Sequence, residues 1–535
     1  MPSMTMPSIT LPTTWNVGAV DAGVLVASVS VFYILVRRVF SRSSTALKGP
    51  SSSNFFFGMM PYIMKAPDSG AVYEEWAATY GSVFSIPALL GRRTVILTDP
   101  KALQHFFSRE TYGYVQTPNS KRFLEKLIGR GLFWAEGDSH KRQRRALNPA
   151  FSPNSIKNLT PIFFDSAYKA KSAWDALLES NPSDEGAIIE VQEWMNHISL
   201  DTIGLAGFSH DFGALSGRTS TVAVAFDSIG LKPSLFDTGI FLASLIIPVL
   251  ADIPTGRRVM LDQLGKTMRG LADKFLAADR DTTADKSVIG LLVKSASTER
   301  ITQEEVIAQI NVLLLAGYET TAISLTWALI ELSRNPAAQI KLRDEILQAG
   351  GDPSWDELTN GLPFLDAVTC EILRLHPPLP ESQRMAAEDD ILPLSAPLET
   401  AGGVFVESVF IRKGTMVTLP IKCINRSVEF WGPDAKVFSP ARWLNPSADP
   451  HRAQEIAGYR HLLTFSDGAR MCLGKGFALA EFKSVLSVLI RTFTFELPKG
   501  PDTVIGQHRN ILPRPKVEGE EGYAVPLRVR HYVAE

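Results

Sequence analysis

Little in this chain of 535 residues leans in one direction. Its charge nearly balances, with 54 basic against 56 acidic side chains and a formal net charge of -2. That argues against nucleic acid as a main partner. Cysteine is scarce, occurring only at Cys370, Cys423 and Cys472. Three thiols without a close pair argue against a disulfide framework and against a zinc site, and they suit a folded part kept in a reducing compartment. There is no internal repeat and no long low-complexity tract. A convincing G-x-G-x-x-G is missing too, so no flavin or nicotinamide site is expected within the chain. Lys and Arg are absent from residues 1–14.

The lack of early positive charge matters because an apolar stretch comes directly after it. Ala22–Val36 carries no charge, and extension back to Trp15 adds only Asp21, near the start of the stretch. About 20 mostly apolar residues suffice to span a bilayer. Arg37, Arg38, Arg42 and Lys48 come next, which puts the C-terminal side in the cytosol. A cleaved signal peptide carries its positive charge before the apolar stretch, not after it. Residues 1–40 therefore read as a single membrane anchor. Residues 41–53, rich in Ser and containing Lys48-Gly49-Pro50, read as a linker. The remainder, 54–535, reads as the catalytic body.

Within that body, Gly81–Ile86 and Arg93–Thr98 have strand character, as do short runs in Asp389–Thr418 and Phe493–Val529. From about Pro100 to Gly350 the pattern is mainly helical. Helices with scattered small sheets, and no alternating β-α rhythm, exclude a doubly wound sheet. One long helix is expected over Gln303–Arg334, between the capping box Thr302-x-x-Glu305 and Pro336. Its centre is apolar all round, so it belongs in a core. The run Ala316-Gly317-Tyr318-Glu319-Thr320-Thr321 then puts a glycine, an acid and two hydroxyls at mid-helix. Glycine weakens a helix, threonine bonds back to the preceding turn, and a buried acid is costly unless used. A local opening with proton-handling groups is the expectation.

The most informative run is Phe465-Ser-Asp-Gly468-Ala-Arg470-Met-Cys472-Leu-Gly474. Its five key letters, F-x-x-G-x-R-x-C-x-G, recur by chance in roughly one chain of this size in ten thousand. Glycines let backbone pass close to a flat cofactor, and Arg470 sets a cation where anions must be held. A lone thiolate pushes electron density onto a haem iron and favours O–O cleavage.

This run resembles the haem-binding loop of the cytochrome P450 monooxygenases, and further motifs of that family occur in order from about Gly49 to Val529. The resemblance implies a mostly α fold with small β-sheets, the cytochrome P450 fold, preceded here by one N-terminal transmembrane helix. It implies haem b, with Cys472 as the axial iron ligand, Phe465 packed against it, Gly474 beside it and Arg470 on a propionate. Glu319 and Thr320 take the places that relay protons to iron-bound oxygen. Glu371-Ile-Leu-Arg374 resembles the E-x-x-R of helix K, with Arg442 from Phe438-Ser-Pro440-Ala-Arg442 as third member of a structural trio. His140 and Arg144 fall, counting back from Pro149, at the helix C places that bind a propionate. Many members have Trp where this chain has His140. Arg384, after Pro377-Pro-Leu-Pro, matches another propionate-binding arginine, and Leu379–Glu381 line the pocket by the same resemblance. Lys141 and Arg142 belong to a docking face for an acidic reductase.

What the resemblance implies about function is a monooxygenase that puts one atom of O2 into a lipophilic small molecule. Its setting is the endoplasmic reticulum membrane, single-pass, with the catalytic body cytosolic and an NADPH-cytochrome P450 reductase as electron source. The style is that of a fungal microsomal member, with terpenoid or similar secondary metabolism as the setting. Two alternatives stay open: a haem-thiolate isomerase, dehydratase or peroxygenase, and a non-catalytic haem-binding membrane protein. The apolar stretch Leu235–Leu250 is either core or a membrane-facing entrance for such substrates. The sequons at Asn158 and Asn425 go unused in the cytosol.

Overall fold

The computed structural model of the chain describes residues 44–180, 185–220, 222–224, 234–244, 253–279, 301–444, 452–509 and 511–534, and the single residues 250, 288 and 290. The expected anchor over residues 1–40 lies outside them, as do residues 245–249 of the Leu235–Leu250 stretch. The helices that position the site are α1 (Ser69–Tyr80), α2 (Pro100–Arg109), α3 (Gly137–Leu147), α4 (Pro153–Ser180), α5 (Val191–Phe208), α6 (Gln303–Arg334), α7 (Pro336–Gln348), α8 (Pro363–Leu375), α9 (Ile421–Arg426) and α10 (Lys475–Thr492). The strands are short. Val83–Pro87 (β1), Arg93–Leu97 (β2), Tyr114–Val115 (β3), Ser382–Ala386 (β5) and Met416–Leu419 (β8) form one sheet in the order β1-β2-β8-β5-β3. All its pairings are antiparallel except β2 with β8. Ala187–Glu190 (β4), Pro526–His531 (β12) and Phe493–Glu496 (β9) make a second sheet, and Asp390–Glu399 (β6) with Phe405–Ile411 (β7), and Ile505–Arg509 (β10) with Pro513–Val517 (β11), are hairpins.

The central helix α6 spans the expected residues and begins with the expected capping box, the Thr302 Oγ1 accepting from Glu305 N–H and the Glu305 carboxylate accepting from Thr302 N–H. By length and composition it could cross a membrane, but most of its apolar length is buried inside the fold. Its first half packs with Leu147, Ile156, Phe163, Leu200 and Ile203. Its second half packs with Phe364, Val368, Val485, Leu489, Phe493 and Val529. His376, just past α8, stacks flat on Trp327 of α6 at 3.8 Å, and its Nε2 lies 2.9 Å from Glu331. Helices α6 and α8 are thereby locked side by side.

Two expectations change. Residues 44–50 of the expected linker lie on the body: Ala401 N–H donates to Ala46 C=O, Ser85 N–H to Lys48 C=O, and Leu47 is buried in the core. A segment whose backbone groups are paired with strand residues is part of the fold. The mid-helix opening at Gly317 is also absent, since α6 is unbroken. Glycine is required there for another reason: a Cβ would sit 2.7 Å from Ile203 Cγ1 on α5. The residue allows two core helices to approach.

Gly317→Ala should therefore destabilise the protein, overpacking costing about 1–3 kcal/mol against the ~1 kcal/mol gained in helix propensity. The cost read from urea midpoints should shrink when Ile203→Ala is added, as contacting residues couple. An equal cost in both backgrounds would remove Ile203 as the cause.

Candidate functional site

Four segments converge on Cys472. The loop carrying it leads into α10 within a few residues, and its backbone is pinned: Cys472 N–H donates to Phe465 C=O at 2.7 Å. Phe465 is buried and meets the Tyr459 ring edge-on. Gly468 has φ +63, and a Cβ would strike Phe107 C=O, so the loop passes hard against α2. Cys472 itself presents accessible surface, while burial by the surrounding protein still weighs on its thiol. Enclosure pushes its thiol up, while the Gly474 N–H, Arg144 and Lys475 favour the thiolate. At Gly474 a Cβ would find only Phe151, at 4.0 Å.

Helix α6 is buried at every position from Val306 to Ser333 except Leu315, Ala316, Gly317 and Thr320. These residues form a short accessible strip within a core helix. Thr320 Oγ1 donates to Ala316 C=O at 2.7 Å, the expected back-bond. Glu319 faces elsewhere: it is buried, and its Oε1 accepts from Arg514 Nε at 2.8 Å. Arg514 is fully buried on β11 and lies over the Tyr523 ring at 4.7 Å. Nothing in the spacing of Pro513-Arg514-Pro515 hinted at this partner, because it comes from 195 positions away.

Helix α3 is tied to α6 through Gln309 Nε2, which donates to Gln143 Oε1 at 2.7 Å, and through Arg142, which bonds Glu305. Arg142 stays exposed all the same, on a basic surface that it shares with Lys141 and Arg145. The tether turns His140 and Arg144 inward. His140 is buried, and its imidazole is pushed down to about 4 by burial and by the charges of Arg470, Arg144 and Arg384. The cations act on one another as well: burial lowers Arg144 and Arg384, and the charge of Arg470 adds to both. Three guanidiniums and a neutral imidazole thus share one enclosure. Arg144 has no carboxylate partner among the described residues. Arg384 meets Glu110 at 3.0 Å, and Arg470 bonds Glu136 and the Ala135 carbonyl. Neither acid was legible in the sequence, since an isolated Glu before a turn carries no signal.

The E-x-x-R pair is fully buried, with Arg374 Nη2 2.7 Å from Glu371 Oε1. Arg442 stands 3.9 Å from Glu371 and bonds mainly to Asp434 and the Trp431 carbonyl. Ser439 N–H and Trp443 Nε1, each at 2.9 Å, take the Glu371 oxygens more closely. Glu381 does not turn to the site: its Oε2 accepts from Tyr73 OH at 2.9 Å, towards α1. Asn425, in the second sequon, is buried with its amide bonded to Thr464 and Leu463. A further acid, Glu481 of α10, is 1% exposed beside Ser199 of α5 and Thr321 of α6. Burial pushes it up to about 8, the two hydroxyls opposing.

Comparison with known proteins places this arrangement. Residues 48–518 match the family Cytochrome P450. The chain is 54% identical over 532 residues to Cytochrome P450 monooxygenase claP of Ampulloclitocybe clavipes, covering 96% of this chain and 98% of the relative. It is 55% identical over 502 residues to Cytochrome P450 monooxygenase claQ of the same fungus, covering 91% and 93%. It is also 32% identical over 541 residues to Cytochrome P450 monooxygenase 205 of Postia placenta (strain ATCC 44394 / Madison 698-R), covering 96% and 98%.

The Glu481 proton gives a pH test. The native chain holds it to about 8, whereas an ordinary glutamate releases it near 4.5. Unfolding then releases a proton across that window, so stability is full below it and falls as pH rises through it. Glu481→Gln keeps the shape without the ionisation. Its urea midpoint should fall less between about pH 5 and pH 8 than that of the wild type; equal slopes would remove Glu481 as the source.

Proposed function

The chain belongs to the cytochrome P450 family and is a haem-thiolate monooxygenase; on that premise we propose that Cys472 supplies the iron ligand and that Arg144, Arg384, Arg470 and His140 hold the haem carboxylates. The single observation that carries this reading is Cys472, a thiol with accessible surface on a loop pinned by its N–H bond to Phe465 C=O. Two others fit a flat dianionic group. Gly474 has no protein neighbour that a Cβ would strike, and Nε of both Arg384 and Arg470 is buried without a hydrogen-bond partner among the described residues. When bound, haem b activates dioxygen, one atom entering the substrate and the other leaving as water.

The chain's own residues supply the rest. The Gly474 N–H, Arg144 and Lys475 favour the anionic form of Cys472, the form that ligates metal. Thr320 satisfies its hydroxyl proton on Ala316 C=O, which leaves its oxygen lone pairs to orient a proton donor in the strip beside Gly317. Glu319, held by Arg514, is the acid of the proton path, and Arg514 restricts where its carboxyl can go. Glu371, Arg374 and Arg442 are structural in this scheme.

Electrons come from an NADPH-cytochrome P450 reductase, for which the exposed Lys141 and Arg142, with Arg145 beside them, offer a docking face. A membrane anchor over residues 1–40 and an endoplasmic reticulum setting complete the reading. Its support is the uncharged run Ala22–Val36 with basic residues after it, and the exposed Phe55, Phe56, Met60, Tyr62 and Met64 on a segment further along. The substrate in this reading is a lipophilic small molecule of secondary metabolism, terpenoid or similar; the relatives support its fungal setting and its monooxygenase class.

Cys472→Ala should abolish the red-shifted band of the reduced carbonyl complex; a variant that retains the band would refute the ligand assignment. Thr320→Ala should divert electrons from product to peroxide or water, read as NADPH consumed per product formed. Unchanged coupling would take Thr320 out of the proton path.

A further inference from the structure

Two acids stand among the cations assigned to the haem carboxylates, where added negative charge is unexpected. Glu110, next after α2, is 3% exposed, and its Oε1 lies 3.0 Å from Arg384 Nη2. Glu136, just before α3, bonds Arg470 Nη2 through Oε2 and accepts the Gln116 N–H through Oε1 at 2.7 Å. Glu136 is thus anchored to backbone before it reaches its arginine. Each acid occupies part of one guanidinium fork. A guanidinium has five N–H donors in a rigid plane, so fixing one side of the fork aims the other.

The unused donors and acceptors are informative. Nε of Arg384, Nε of Arg470 and Oε2 of Glu110 are all buried without hydrogen-bond partners among the described residues. Arginine side chains lose considerable rotamer freedom when ordered, and a partner that orders them beforehand lowers the cost of binding. Arg144 pairs with no such acid among the described residues, so the clamp is specific to two of the three arginines.

We propose that Glu110 and Glu136 are positioning residues that clamp Arg384 and Arg470 with their remaining donors toward the haem carboxylates, and that their charge holds down the iron potential. The inference rests on the haem reading given under Proposed function. Negative charge near the iron favours its more positive oxidation state, so removing it shifts the potential upward.

The test uses the holoenzyme and two readouts: the rate of haem transfer to excess apomyoglobin and the potential of the haem in a dye-coupled titration. Glu136→Gln, and likewise Glu110→Gln, should speed haem loss about tenfold, the scale of one lost charged hydrogen bond, and move the potential positive. Glu136→Asp should restore most of the retention. Wild-type rates and potentials in both Gln variants, with faster loss in Arg470→Ala, would overturn the clamp while leaving the haem reading intact. Wild-type retention in Arg470→Ala and Arg384→Ala alike would instead overturn the carboxylate assignment itself. If Glu136→Gln takes up no haem, Glu136→Asp decides: restored uptake supports the clamp, and none overturns it.

Discussion

Glu371 and Arg374 lie one turn apart on α8 and both are fully buried, a position tolerable only when their polar atoms are used. The fold uses them. Arg374 donates to the carbonyls of Asn425, Ala435 and Val437, while Glu371 accepts from Ser439 N–H and Trp443 Nε1. The irregular chain from α9 to Trp443 is thereby wrapped around one ion pair. Asn425 passes the constraint on, bonding Leu463 and Thr464, and Thr464 Oγ1 returns to Leu373 C=O on α8. The loop that ends in Cys472 begins from those anchored residues. Breaking either charge strands the other and costs about 3–5 kcal/mol, and the segment that loosens is the one holding the thiol.

The same economy of buried charge shapes the site. Cations gather near Cys472 from α3, β5 and the cysteine loop, and acids from two further segments temper them. On α6, Glu319 is neutralised by Arg514 of β11. These charged groups are held by elements distant in sequence. Such pairing keeps the geometry stiff where the reaction needs positions to be fixed, and leaves only the strip at Leu315–Gly317 and Thr320 accessible along the core helix.

Much of this was legible in the letters, for local reasons. A capping box and a proline bound α6 at its observed ends because both act through the backbone of their own turn. The strand runs at Gly81–Ile86 and Arg93–Thr98 became β1 and β2. Phe465, Gly468, Arg470 and Cys472 lie together because their motif spans a single loop. Where expectation and structure part, the cause is a neighbour from elsewhere in the chain. Gly317 answers to Ile203 rather than to a helix opening, Glu381 answers to Tyr73, and residues 44–50 answer to β1 and the β6–β7 region. Arg442 does reach Glu371, at 3.9 Å, as expected; what the letters did not show is that Ser439 and Trp443 come closer.

By itself the sequence determined the helix-rich class and the family, through a five-letter cysteine signature. Those depend on periodicity and on short fixed spacings, which survive being read as a string. Tertiary structure alone decided the pairings: Arg514 with Glu319, Glu110 with Arg384, and Glu136 with Arg470, and it alone buried Glu481. A lone Glu or Arg gives no sign of its partner, because burial and the charge it must meet are set by chain segments that come together only when the protein folds.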